Sequence, residues 1–200
     1  TVTEANMAIT IEKLGGLGVL HRYNTVEDQV AMCQQSGKVK SAAIGVSDDF
    51  MKRASALYEA GVKILCIDVA HGHHVLVERA LQDLKDKFGD SMYLIAGNVA
   101  TPEEFRDLSD WGADAIRVGI GGGSICSTRI QTGHGVPTFE SVLTCSYEDG
   151  AVIIADGGIK NSGDIVKSLA AGADFVMLGS MLSGTRETVS YTHLRAHETR

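Results

Sequence analysis

The sequence predicts an α/β fold, specifically a (β/α)8 TIM barrel that is truncated, without its first strand and its final helix. Three observations predict this. Short apolar, β-rich runs alternate with amphipathic helical stretches along the whole chain, the pattern of a parallel sheet crossed by helices. Runs such as VKILCIDVA and ADFVMLGS are apolar throughout, as strands buried on both faces are. Polar residues or glycines close nearly every run, at His21, Asp68, Asn98, Gly119, Asp156 and Gly179. A closed barrel brings all such ends to one face, where its site is built. An open doubly wound sheet uses only the few beside its switch point. Seven strand runs in 200 residues fall short of a complete barrel of about 250, hence the expectation of a fragment.

The elements follow in order. A helix is predicted over 4–14 and stops at Gly15, and a strand over 18–21 ends at His21. Helix 26–35, strand 41–46 and helix 48–60 come next, the last stopped by Gly61 with Ser47 at its start as a cap or near-cap. Strand 62–70, helix 74–88 and strand 92–99 lead to helix 102–111, which starts after Thr101 and stops at Gly112. Strand 113–120 enters a long glycine-rich loop, followed by helix 139–145 and strand 151–157. Asn161 caps helix 162–171, Gly172 stops it, and strand 173–180 closes the series.

Composition narrows the function. The net charge of −7 and the absence of any Lys/Arg run exclude the basic footprint of a nucleic-acid binder. No apolar run approaches the ~18 residues of a membrane span, so no membrane partner is expected and the cytoplasm is the expected compartment. The four cysteines, Cys33, Cys66, Cys126 and Cys145, form no CxxC pair, which weakens disulfide and metal readings. His71, His73 and His74 resemble a metal cluster, but no carboxylate accompanies them at ligand spacing.

Residues 119–137, GIGGGSICSTRIQTGHGVP, carry the chemistry. Gly119, Gly121, Gly122 and Gly123 free the backbone to aim N–H groups at an anion or carbonyls at a cation. Cys126 sits in that loop and not on an apolar face, so it reads as a nucleophile beside a phosphate site. Cys33, Cys66 and Cys145 fall on predicted helices or an apolar strand and read as structural.

Together with TVTEANMAI, GGLGVLHR, IDVAHGH, IAGNVAT, IADGGIKNSGDI and DFVMLGSMLSGT, this loop resembles the IMP dehydrogenase/GMP reductase family over residues 1 to about 188. The resemblance implies that Cys126 attacks C2 of a purine nucleotide (IMP, XMP or GMP) and that Thr128 handles the accompanying proton and the water or ammonia. It implies that Ser124, Gly157, Gly158, Gly179 and Ser180 hold the nucleotide, chiefly its phosphate, while Asp156 grips the ribose diol. Asp68, Asn98, Arg117 and Gly119 fall at positions near the nicotinamide of NAD, or of NADPH in a reductase. Carbonyls of Gly121, Gly123 and Cys126 match part of a K+ site, and a homotetramer is implied.

Three departures accompany the resemblance. The regulatory CBS pair that most of the dehydrogenases insert between the second and third barrel units is absent, because helix 26–35 runs through SGKVK into SAAIGV. The family's Arg-Tyr flap and following glutamate do not occur in the sequence. Residues 189–200 do not continue the pattern and read as an unrelated polar tail. Within the family His71, the SICSTRIQTGHGVP wording and the serine of MLGS favour the dehydrogenase, whereas the missing insertion and HRY at 21–23 favour the reductase. A reading of another class is a nucleotide-binding barrel fragment that has no turnover on its own, and inactivity of these 200 residues alone is expected.

Overall fold

The computed structural model describes residues 2–35, 39–47, 49–124 and 126–189. It is the α/β fold predicted, with strands and helices alternating. The chain forms two compact units, residues 1–66 with 182 onward, and residues 67–181.

The first unit contains α1 (Ala5–Lys13), β1 (Val19–Leu20), α2 (Val26–Gln34), β2 (Ser41–Ile44), α3 (Phe50–Glu59) and the start of β3 (Ile64–Ile67). β1 pairs in parallel with β2, Val19 opposite Ser41, and the strands neighbour one another in chain order. Thr25 caps α2 by accepting the Asp28 N–H. Leu20, Ile44, Leu57 and Leu65 are fully buried. Within this core lies a polar set that only tertiary structure assembles. Buried Gln29 donates to the carbonyls of His21 (3.0 Å) and Ala43 (2.8 Å) and accepts from Arg53 Nη1 at 2.8 Å. Arg53 Nη2 donates to Asn24 O at 3.0 Å. A buried polar group costs little only when its bonds are met in this way.

The second unit contains α4 (Val75–Phe88), β4 (Tyr93–Val99), α5 (Pro102–Asp110), β5 (Ala115–Val118), α6 (Thr128–Thr132), α7 (Thr138–Cys145), β6 (Val152–Asp156), α8 (Ser162–Ala170) and β7 (Phe175–Met177). Strands β4 to β7 are parallel and neighbour one another in chain order. That is the order of a barrel wall and not of a doubly wound sheet. Thr101 and Glu104 form a reciprocal capping box at α5, with Pro102 in the first turn. Asn161 caps α8 by accepting the Asp164 N–H. Gly112 and Gly172 follow their helices at φ +102 and +107, a conformation closed to most residues.

Several elements differ from the sequence expectation. Strands are shorter than the apolar runs: β1 has two residues and β7 three, because ladder bonds end before the side-chain pattern does. Gly119 and Gly179 therefore lie past their strands, and Ser180 opens a short 3-10 turn, 180–182. Ser47 does not cap α3; its hydroxyl donates to Asp49 Oδ1 at 3.1 Å, and Asp48, the expected first residue of that helix, lies outside the described residues. Helix α6 inside the glycine-rich loop was not foreseen. The tail expected over 189–200 lies, from residue 190, outside the described residues.

Phe105, on α5, is fully buried against the sheet. Phe105→Ala is expected to destabilise the chain by about 3–5 kcal/mol through lost transfer energy and the cavity left behind, measured as a lowered urea midpoint.

Candidate active site

The C-terminal ends of β4, β5 and β6, with the residue following β3, place four polar side chains within hydrogen-bonding reach. Arg117, on β5, is the hub. Its Nη1 donates to Asp68 Oδ1 at 2.9 Å, while Nε and Nη2 approach Asp156 Oδ2 at 3.2 and 3.1 Å. Asn98 Nδ2 donates to the same Asp156 oxygen and to Gly119 O, each at 2.8 Å. The Arg117 side chain is 12% exposed and those of Asp68 and Asp156 29% and 20%, so the charges are screened only partly. Asn98 Oδ1 is buried and has no hydrogen-bond partner among the described residues. Glycine makes this approach possible: Gly97 has φ +151, and a Cβ there would lie 2.7 Å from Arg117 Cβ.

The glycine-rich loop folds over the end of β6. Gly119, at φ +139, accepts no side chain because a Cβ would overlap the Asp156 carbonyl. Gly122 and Gly123 pack on Gly157, whose Cβ would lie 3.0 Å from Gly122 C and Gly123 N. The loop and the Asp156–Gly157–Gly158 turn thus fit by having no side chains between them. Ser124 is exposed. Asp156 pairs with Met177 across β6 and β7. Gly158 and Gly179 therefore leave their strands at the same offset, and Ser180 follows. Gly179 and Ser180 are exposed, and no atom lies within 4 Å of where a Gly179 Cβ would be.

Cys126 is half-buried. Its Sγ lies 3.3 Å from Thr128 Oγ1, to which the thiol donates, and its N–H donates to Gly123 O at 3.1 Å. The Cys126 thiol is held below its ordinary value, first by the Thr128 hydroxyl, then by the Thr128 amide, with the Gly121 amide and Arg129 adding to this against partial burial. Once ionised, the sulfur accepts the proton of the same hydroxyl. Arg129 was not singled out in the sequence, although it belongs to the Ser-Thr-Arg run. Its stem threads between Gly121 and Gly135, where a Cβ on either would lie 2.6 Å from Arg129 Cγ. By contrast, burial pushes Cys33 up to about 11 and Cys145 up to about 12. Cys66 is buried in β3. Cys126 is thus prepared to be a nucleophile, in contrast to Cys33 and Cys145.

This predicts a measurable pH dependence. The lowered value means that Cys126 thiolate is populated at a pH where an ordinary thiol is protonated. Its alkylation by iodoacetamide should rise with a midpoint below that of free cysteine. Thr128→Val removes the largest stabilising contact and should move the midpoint upward. A midpoint unchanged in Thr128→Val would remove Thr128 from thiolate stabilisation.

His71 Nε2 lies 3.4 Å from Glu104, His73 Nε2 lies 2.8 Å from Asp107, and His74 accepts the Leu76 N–H at the start of α4. Among the described residues, no group of three His, Cys, Asp or Glu side chains could hold a metal ion. No helix among them is long and apolar enough to cross a membrane.

Comparison with known proteins gives the family of this chain. The family described as the IMP dehydrogenase / GMP reductase domain matches residues 1–199. Inosine-5'-monophosphate dehydrogenase of Chlorobaculum parvum is 49% identical over 156 residues, 76% of this chain and 31% of that protein. The Halalkalibacterium halodurans protein of the same name is 51% identical over 157 residues, 77% of this chain and 32% of its own length. That of Staphylococcus aureus is 50% identical over 157 residues, with the same coverage. The chain spans about a third of the length of these curated relatives.

Proposed function

Because the chain belongs to the IMP dehydrogenase / GMP reductase family, we propose that it is the cysteine-bearing part of a purine nucleotide oxidoreductase that converts IMP to XMP. The observation that carries this is Cys126, whose thiol is held below its ordinary value by Thr128 in a loop packed on Gly157.

In this reading the Cys126 thiolate adds to C2 of the hypoxanthine ring, and the ring nitrogen takes up the electron pair and a proton. Hydride leaves C2, and the bound nicotinamide, when present, supplies the acceptor. Water then adds to the resulting thioimidate, Thr128 carries the proton, and expulsion of the thiolate releases XMP. Asp156 is placed to accept from the ribose hydroxyls, since a carboxylate only accepts. Ser124, Gly158, Gly179 and Ser180 offer hydroxyls and amides to the phosphate, which suits an acidic chain.

The residues present fit a nicotinamide dinucleotide, NAD in the dehydrogenase or NADPH in the reductase. The orphaned Asn98 Oδ1 is an acceptor that a carboxamide N–H satisfies, and Asp68, Arg117 and Gly119 belong to the same hydrogen-bonded set through Asn98 Nδ2 and Asp156. Carbonyls of Gly121, Gly123 and Cys126 suit K+, a hard cation that takes oxygen ligands. Gly123 O spends one lone pair on the Cys126 N–H and keeps the other. The cytoplasm and a homotetramer belong to the same reading.

GMP reductase is the second reading. The short link of six residues between α2 and β2 favours it, since no CBS pair interrupts the chain there. Assay with IMP and NAD+, and separately with GMP and NADPH, decides between the two. Turnover of IMP alone supports the dehydrogenase, turnover of GMP alone the reductase, and binding of either nucleotide without turnover a nucleotide-binding module.

A further inference from the structure

We propose that His71 and His73, with the acidic face of α5 and Trp111, form a latch that positions Asn98 for the dinucleotide. The cofactor half of this proposal rests on the function proposed above.

The three groups on α5 are Glu104, Asp107 and Trp111. They stand at i, i+3 and i+7, one face of a helix and the residue that ends it. Opposite them, His71 and His73 alternate along the loop between β3 and α4. His73 Nε2 lies 2.8 Å from Asp107 Oδ2, and its ring stacks on the Trp111 indole, 5.4 Å between centroids with planes 3° apart. One imidazole therefore makes a polar contact through its edge and an aromatic contact through its face. His71 Nε2 lies 3.4 Å from Glu104 Oε1.

Both contacts lead to the same place. Gly72, between the two histidines, donates its N–H to Asn98 O at 2.7 Å. It lies flush on that backbone: a Cβ there would be 3.0 Å from Gly97 C and Cα. From the other side, Glu104 Oε2 accepts the N–H groups of Ala100 and Thr101, at 2.8 and 3.3 Å, just beyond Asn98. The latch thus grips the Asn98 backbone on both sides of its side chain, which reaches Asp156 and Gly119 through Nδ2 and leaves Oδ1 buried without a partner among the described residues. His73 and Trp111 touch none of these polar groups themselves and act as positioning residues. Within the HGHH motif, His71 and His73 meet the face of α5, and His74 accepts the Leu76 N–H at the start of α4.

Trp111 is the sole tryptophan, so its emission reports the stack directly. The test uses the full chain, 15N-labelled, with His73→Ala, His73→Phe and Asp107→Asn. His73→Ala should raise Trp111 emission and shift the Gly72 and Asn98 amide resonances. It should weaken NAD+ or NADPH about tenfold, since small misplacements of positioned groups are costly, and leave IMP or GMP affinity within about twofold. His73→Phe keeps the stack and should recover part of the loss. Asp107→Asn, at a half-exposed position, gives the same readout should His73→Ala fail to fold. Unmoved Gly72 and Asn98 resonances would overturn the latch. Moved resonances with unchanged dinucleotide affinity would overturn its role toward the cofactor. A wild-type chain that binds neither dinucleotide removes the cofactor half and the function proposed above, while the resonances still decide the latch.

Discussion

In a full-length protein carrying this chain, Cys126→Ala is expected to abolish turnover, leaving no more than about a thousandth of the wild-type rate, the scale of loss when a covalent nucleophile is removed. The physical reason is that the reaction at C2 needs a thiolate, and none of the other cysteines offers one. Cys33 and Cys145 are buried and pushed up to about 11 and about 12, and Cys66 is enclosed in β3. Nucleotide affinity should change little, because the sulfur contributes to the reaction and not to holding phosphate or ribose. Steady-state kinetics alongside equilibrium binding of IMP and GMP separates the two. Cys66→Ala, in contrast, should cost mainly stability. Near-normal turnover in Cys126→Ala would end the covalent reading.

Arg117→Ala is expected to cost about 3 kcal/mol of stability, the low end for breaking a buried ion pair from one side. Two carboxylates depend on this one guanidinium. Without it Asp68 loses its 2.9 Å partner, and among the described residues Asn98 stays bonded to Asp156 Oδ2. The residual exposure of both aspartates lets water repay part of the loss. For a domain of this size the melting temperature should fall by roughly 6–12 °C. Arg117→Lys restores the charge but not the fork that spans two carboxylates, so recovery should be partial. A melting temperature within about 2 °C of wild type in Arg117→Ala would show that the hub is dispensable.

The alternation of strands and helices was legible in the sequence because apolar runs and helical periodicity are local. Thr101 and Asn161 were legible as caps for the same reason: each acts within three residues of itself. Strand ends were not, since Met177 stops pairing where β6 stops, at Asp156, not where the apolar residues do. Helix α6 has five residues, too few for a period to show. The Gln29–Arg53 bond joins residues 24 apart, and nothing local marks it. Cys126 and the glycines around it stood out by composition. That Gly119 must be glycine because the Asp156 carbonyl occupies its side-chain space required the fold. The histidines were misleading as a local cluster. Their partners on α5 are more than thirty residues away, at a spacing that is visible only once α5 is known to face them.

The central claim is that Cys126 becomes covalently bonded to the nucleotide. It is tested most directly by acid-quenching a full-length protein carrying this chain during incubation with IMP and NAD+, and with GMP and NADPH, and weighing its peptides by mass spectrometry. The account predicts a purine nucleotide bonded to the peptide carrying Cys126 with one of the two pairs, and none on peptides carrying Cys33, Cys66 or Cys145. It also predicts that the adduct disappears in Cys126→Ala. Turnover of either nucleotide with no mass added to the Cys126 peptide, or an adduct that survives in Cys126→Ala, would contradict it.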